Sequence, residues 1–158
     1  MSAIDLLKMQ HRQVDGLFRR IKASIGDEKI SLLGELAEAL TIHAALEEQY
    51  FYPFARQQGV GGLIDESFKD HSEVKQLLSE ILRMKQTDPR LDELCTRLER
   101  MVTEHVAQEE TTLLPKVEAQ ANPDELVSMR DDMQQAVDSW RERELLRMAE
   151  HMESPPPV

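Results

Sequence analysis

Two short segments, His43-Ala-Ala-Leu-Glu47 and His105-Val-Ala-Gln-Glu109, each set a histidine and a glutamate four residues apart. On a helix, positions i and i+4 lie one above the other on the same face, so each segment would aim an imidazole and a carboxylate in one direction. His11 and His71 add an imidazole each from two further stretches, in rows that are otherwise apolar. A buried ionised glutamate without a partner is prohibitively unfavourable, because the charge loses its hydration. No Lys or Arg lies on those two rows ahead of Pro53 and Pro115 to compensate it. A pair of metal ions would neutralise both carboxylates together. Mixed imidazole and carboxylate donors suit iron, manganese or zinc, and the lack of thiolates speaks against structural zinc, which also wants four ligands around one ion. The economical arrangement is a dinuclear site with Glu47 and Glu109 shared and two histidines on each ion.

The elements that must hold these residues are legible as amphipathic rows. Ile4, Leu7, Val14, Phe18, Ile21 and Ile25 step by threes and fours or by sevens, with His11 in the gap between Leu7 and Val14. Leu33, Leu36, Leu40, His43, Glu47, Tyr50 and Phe54 form a second row, Ile64, Ser67, His71, Val74, Leu78 and Ile81 a third, and Leu94, Leu98, Val102, His105, Glu109, Thr112 and Leu113 a fourth. Rows of this kind predict helices packed on a common seam. Asp27 is expected to cap the second helix, Gly59, Gly61 and Gly62 to break before the third, and Thr87-Asp88-Pro89 to stop one helix and start the next. Asn122-Pro123 opens a fifth helix bearing Leu126, Met129, Met133, Val137 and Trp140.

The chain also repeats itself. Adding 60 carries Ile4, His11, Val14, Phe18 and Ile21 onto Ile64, His71, Val74, Leu78 and Ile81, and adding 62 carries His43, Glu47, Glu48 and Pro53 onto His105, Glu109, Glu110 and Pro115. The expected fold is therefore all-α, an up-down-up-down four-helix bundle over 1–120 that carries the metal site. A C-terminal helix over 121–152 is appended to it, and a disordered tail follows over 153–158. Glu48 and Glu110 turn about a quarter of a circle from the metal-facing row and are read as solvated. Cys95 matches Leu33 in the repeat and is read as a small core hydrophobe, the methionines as packing, and His151 as a surface residue.

Composition supports the helical reading and narrows the partners. Leu, Ala, Glu, Lys and Arg supply 70 of the 158 residues, whereas Val, Ile, Thr, Phe, Tyr and Trp supply 29, a balance that disfavours a sheet. The net charge of −11 argues against nucleic acid and against an anionic membrane surface, both of which are bound through Lys and Arg. One cysteine cannot close an internal disulfide. No apolar run suits a signal peptide or a transmembrane span, so a cytoplasmic setting is expected.

His11, His43, Glu47, His71, His105 and Glu109, in that order and spacing, resemble the hemerythrin-like HHE cation-binding domain family over about residues 1 to 120. The resemblance implies a non-haem centre of two iron ions joined by the glutamates and an oxo or hydroxo bridge, with manganese or zinc ranking below iron. Oxygen-carrying members have a further histidine four residues after the third-helix one and end their ligand set on aspartate. Here those positions are Lys75 and Glu109. The pattern is closer to the di-iron domain of iron–sulfur cluster repair proteins and to small bacterial members associated with peroxide and nitric oxide. Some of these place a tyrosine near the iron, and Tyr50, on the row of His43 and Glu47, is the candidate for a ligand or a nearby donor. The expected function is reaction with hydrogen peroxide, dioxygen or nitric oxide, with catalase-like peroxide removal favoured. The alternative is an oxygen, iron or redox sensor, or a dioxygen-binding module without turnover.

Overall fold

In the computed structural model, residues 1–153 are described, the side chains of 151–153 excepted, so the expectation for His151 lies outside the described residues, as does the tail expected over 153–158 except for Glu153, which ends the last helix. Among the described residues there is helix and no strand. Five helical runs follow one another: α1 (Ala3–Lys22), α2 (Gly26–Leu46) continuing into α3 (Tyr52–Gln57), α4 (Gly61–Arg83), α5 (Leu91–Gln108) continuing into α6 (Leu114–Gln120), and α7 (Pro123–Glu153). Between α2 and α3, and again between α5 and α6, the chain winds as π-helix over Glu47–Phe51 and Glu109–Leu113. Helix α1 packs on α2 and α5, and α4 on α5 and α2, while α7 lies against α1, α2 and the first π-helical stretch.

The helix ends are set by local chemistry. Ser2 caps α1 in a reciprocal box with Asp5, whose carboxyl is held below its usual value chiefly by the Ser2 backbone N–H. At α2 the expected Asp27 cap is displaced. The helix starts at Gly26, whose φ of +66° suits glycine, with Ile25 in the capping position and Asp27 inside the first turn. Ile25 is consequently 87% exposed and lies beyond the row that sequence periodicity assigned to it. Asp88, by contrast, sits two residues ahead of the capping position. Its carboxylate accepts the Arg90 N–H at 2.9 Å, and Arg90, not Asp88, precedes the first residue of α5. Asn122 caps α7 as expected, accepting from the Asp124 N–H at 2.9 Å.

Two apolar layers stabilise the molecule, and the histidines stand between them. Ile4, Leu7, Leu46, Phe51, Ile64, Leu113, Leu114 and Val117 form one layer, completed by Leu126, Met133 and Val137 of α7. Val14, Phe18, Ile21, Leu36, Leu78, Ile81, Cys95, Leu98 and Val102 form the other. Along α1 the first layer ends at Leu7 and the second begins at Val14, with His11 between; α4 changes layers the same way around His71. Each buried Leu or Ile contributes about 1.5–3 kcal/mol, so the polar layer is clamped from both sides.

Candidate metal centre

His11, His43, Glu47, His71, His105 and Glu109 are all buried, and the structure brings their inward-facing atoms together. His11, His43, Glu47 and Glu109 each offer one donor atom, and those atoms lie within 4.8 Å of one another. Glu47, His71 and His105 form a second such group, so Glu47 belongs to both. Glu47 Oε1 is 3.0 Å from His43 Nε2 and 3.1 Å from His71 Nε2. Glu109 Oε1 is 2.9 Å from His105 Nε2 and 3.6 Å from His11 Nε2. Both carboxylates therefore lie between a histidine from one half of the repeat and a histidine from the other.

These short distances are not all hydrogen bonds. Both nitrogens of His11, His43 Nε2, both oxygens of Glu47 and Glu109 Oε1 are buried without a hydrogen-bond partner. Buried polar atoms are rarely left this way, since each costs about 1–3 kcal/mol. Here all of them but the outer His11 Nδ1 converge on shared points, with no Lys or Arg among them. Atoms close together yet misaligned for N–H···O bonds are what a cation-binding donor set requires, and the mixed imidazole–carboxylate chemistry fits a transition metal. The electrostatics of the cluster agree. Burial alone would raise the Glu47 carboxyl, but the adjacent His43 holds it well below the usual value. Burial would lower His43, yet Glu47 raises it; burial would lower His105, yet Glu109 lifts it to about 9.

The π-helical stretches place one residue that α-helical periodicity misses. At about 100° per residue, Tyr52 would point well away from Glu47. Its backbone N–H instead donates to the Glu47 carbonyl, five residues back, and the wider winding returns Tyr52 to the glutamate's side. The Tyr52 phenol, with no exposed surface, lies 3.1 Å from His71 Nε2 and donates to Glu109 Oε2 at 3.3 Å. Burial and the two carboxylates raise its pKa far above the usual phenol value and keep it protonated. Tyr50, the tyrosine expected at the site, is half-buried and packs on the apolar layer instead. The signal was available in Pro53 and Pro115, each six residues after a glutamate. A proline ring clashes with the carbonyl four residues back in an α-helix, and local widening relieves that clash. In the repeat, Leu114 stands where Tyr52 does, so the phenol is present in one half only.

Outside the cluster the histidines meet a ring of side chains. His43 Nδ1 meets Gln10 Oε1 at 2.7 Å, and His105 Nδ1 meets Asp70 Oδ2 at 3.0 Å. Glu48 and Glu110, expected to be solvated, are drawn inward over His71 Nδ1 and His11 Nδ1 at 3.8 and 3.7 Å. Lys75 and Arg12 stand beyond them, at 3.4 and 3.6 Å from the respective carboxylates. A small chamber of about 50 Å³ opens onto the four histidines from the opposite side to the first apolar layer. Val14, Leu40, Ala44, Val74, Leu78 and Val102 make its walls apolar, and Thr41 and Lys75 also line it. Cys95 lies in the second apolar layer, away from the cluster, and burial pushes its thiol pKa up.

Comparison with known proteins agrees with this architecture. The family model for the hemerythrin HHE cation binding domain matches residues 2–117. A protein of Nostoc sp. named DNA nickase is 32% identical over 118 residues, which are 74% of this chain and 34% of that protein, so the chain spans about a third of its length. The uncharacterized protein Rv2633c of Mycobacterium tuberculosis is 28% identical over 117 residues, covering 73% of this chain and 71% of the relative. A crystal structure of a hemerythrin HHE cation binding domain-containing protein, the Rv2633c homolog from Mycobacterium kansasii, superimposes with a TM-score of 0.83 at 25% identity. The match covers 94% of this chain and 93% of that one.

Proposed function

The chain belongs to the hemerythrin HHE cation-binding domain family, and from that premise we propose that it is a non-haem di-iron protein that reacts with small oxidants, removal of hydrogen peroxide foremost. In this reading residues 1–120 form an up-down-up-down four-helix bundle around the metals, and α7 is an appended brace on α1 and α2. His11 and His43 hold one ion, His71 and His105 the other, and Glu47 and Glu109 serve both. The observation that carries the reading is the set of buried, convergent and unpartnered donor atoms with no cationic side chain among them.

When bound, the two irons supply the redox equivalents and the open coordination positions for the oxidant. The side chains do the rest. The small chamber admits molecules of a few atoms and its apolar walls exclude larger polar solutes. Tyr52, protonated and within hydrogen-bond distance of Glu109 and His71, holds a donor hydrogen at the inner edge of the cluster. Glu48 and Glu110 lie over the outer nitrogens of His71 and His11, where their negative charge favours inward presentation of Nε2. Lys75 stands where an oxygen carrier has its additional histidine, so His71 and His105 would be the imidazoles on one side of the cluster and His11 and His43 those on the other, a balance that favours turnover over reversible carriage. The test is to mix the diferric protein with hydrogen peroxide and follow oxygen evolution. Steady evolution supports the reading; a stable oxygenated spectrum from the diferrous protein, reversed by lowering oxygen and without peroxide turnover, overturns it in favour of an oxygen-binding module.

A further inference from the structure

Gln10 and Asp70 stand immediately before His11 and His71 and are related by the same offset of 60. Each reaches across to the neighbouring helix in the same manner, Gln10 Oε1 to His43 Nδ1 at 2.7 Å and Asp70 Oδ2 to His105 Nδ1 at 3.0 Å. The geometry repeats but the charge does not. Gln10 presents a neutral amide oxygen, Asp70 a carboxylate, and a hydrogen bond to an ionised acceptor is roughly twice as strong as a neutral one. The other outer contacts are balanced between the halves. Glu48 and Glu110 place a carboxylate at 3.8 and 3.7 Å from His71 and His11. Each of those carboxylates is faced by one cation, Lys75 or Arg12. Among the side chains that meet the outer nitrogens of the histidines, the unmatched charge is therefore the one on Asp70.

We infer that Asp70 and Gln10 make the two metal positions electronically unequal, the position at His71 and His105 holding its ion more tightly and favouring the higher oxidation state. The inference rests on the two-ion reading above. A carboxylate accepting the outer N–H makes the imidazole a more basic donor through its inner nitrogen, whereas an amide oxygen does so weakly. Asp70 is thus a positioning and tuning residue acting through His105, and Gln10 its neutral counterpart acting through His43.

The experiment is a stepwise reductive titration of the full chain loaded with two iron ions per chain, in wild type, Asp70→Asn and Gln10→Glu. Metal removal by a chelator is timed in parallel. Wild type should lose one ion about 10–100-fold faster than the other. Asp70→Asn should bring the two rates together and raise the harder reduction step by about tenfold in its equilibrium constant, about 59 mV for one electron. Gln10→Glu should narrow the separation from the other side, by lowering the easier step. A merely structural role for Asp70 would shift thermal stability and leave the separation unchanged. Two ions retained with an unchanged separation in Gln10→Glu overturns the inference, even if Asp70→Asn fails to fold. A wild-type chain that never holds two ions overturns the reading beneath it.

Discussion

The backbone N–H of Tyr52 donates to the carbonyl of Glu47, five residues back, and this bond brings the phenol back toward the glutamate's side of the helix. The same bond recurs between Leu114 and Glu109, but there an aliphatic side chain fills the equivalent place. One half of the repeat thus lends a hydroxyl to the cluster and the other lends only packing.

Replacing Tyr52 with Phe should keep the fold, at a cost of about 1 kcal/mol for the lost hydrogen bond. Peroxide consumption should fall by roughly 10–100-fold, the usual effect of removing a side chain that orients metal-site groups. Tyr50→Phe should leave the rate unchanged. Parallel kinetics of the two variants check the assignment, and equal effects would contradict it.

Glu47→Gln and Glu109→Gln should destabilise the metal-free chain and lower its metal content. Without metal, each removes the anionic partner of a buried histidine, His43 or His105, and should cost about 3–5 kcal/mol. With metal, each loses a shared ligand and should bind fewer than two ions per chain. Thermal melts of the metal-free protein and metal analysis of the loaded protein check the two effects.

Much of this was legible in the residues themselves. The repeat, the two His-x-x-x-Glu segments and the rows through His11 and His71 led to the six buried donors. What escaped was everything that depends on departure from 3.6-residue winding. Beyond Glu47 the fully buried residues are Phe51, Tyr52 and Ala55, not Tyr50 and Phe54. Beyond Glu109, Leu113, Leu114 and Val117 are buried while Thr112 is not. Gln10 and Asp70 escaped for a different reason. They lie beside the apolar rows rather than on them, and their partners sit on another helix, so periodicity along one helix gives no sign of them.

The metal-free protein should lose stability as pH rises from about 6.5 to about 9. His105 is raised to about 9 in the folded chain, against about 6.5 when unfolded. Its contribution is therefore full below the unfolded value and disappears as pH climbs through the folded one. Metal affinity should rise over the same range, because the ligand must shed its proton to bind. Denaturant titrations of the metal-free protein and metal-binding titrations across that window should slope in opposite directions.

Cys95→Ser should leave iron content unchanged, since the thiol lies in the apolar layer and not among the donors. Alkylation of Cys95 should be slow in the native protein and fast once it is unfolded, because burial both shields the thiol and raises its pKa. Leu98→Ala, in the same layer and with no exposed surface, should cost about 2–5 kcal/mol without altering the ligands.

The most direct measurement is the iron content of the full chain after anaerobic loading with ferrous ion and removal of excess. Two ions per chain in the wild type, falling below two in Glu47→Gln and in Glu109→Gln, is the expected result. Wild-type protein that retains one ion or none, or either variant retaining two, would contradict a centre in which Glu47 and Glu109 are shared between two metals.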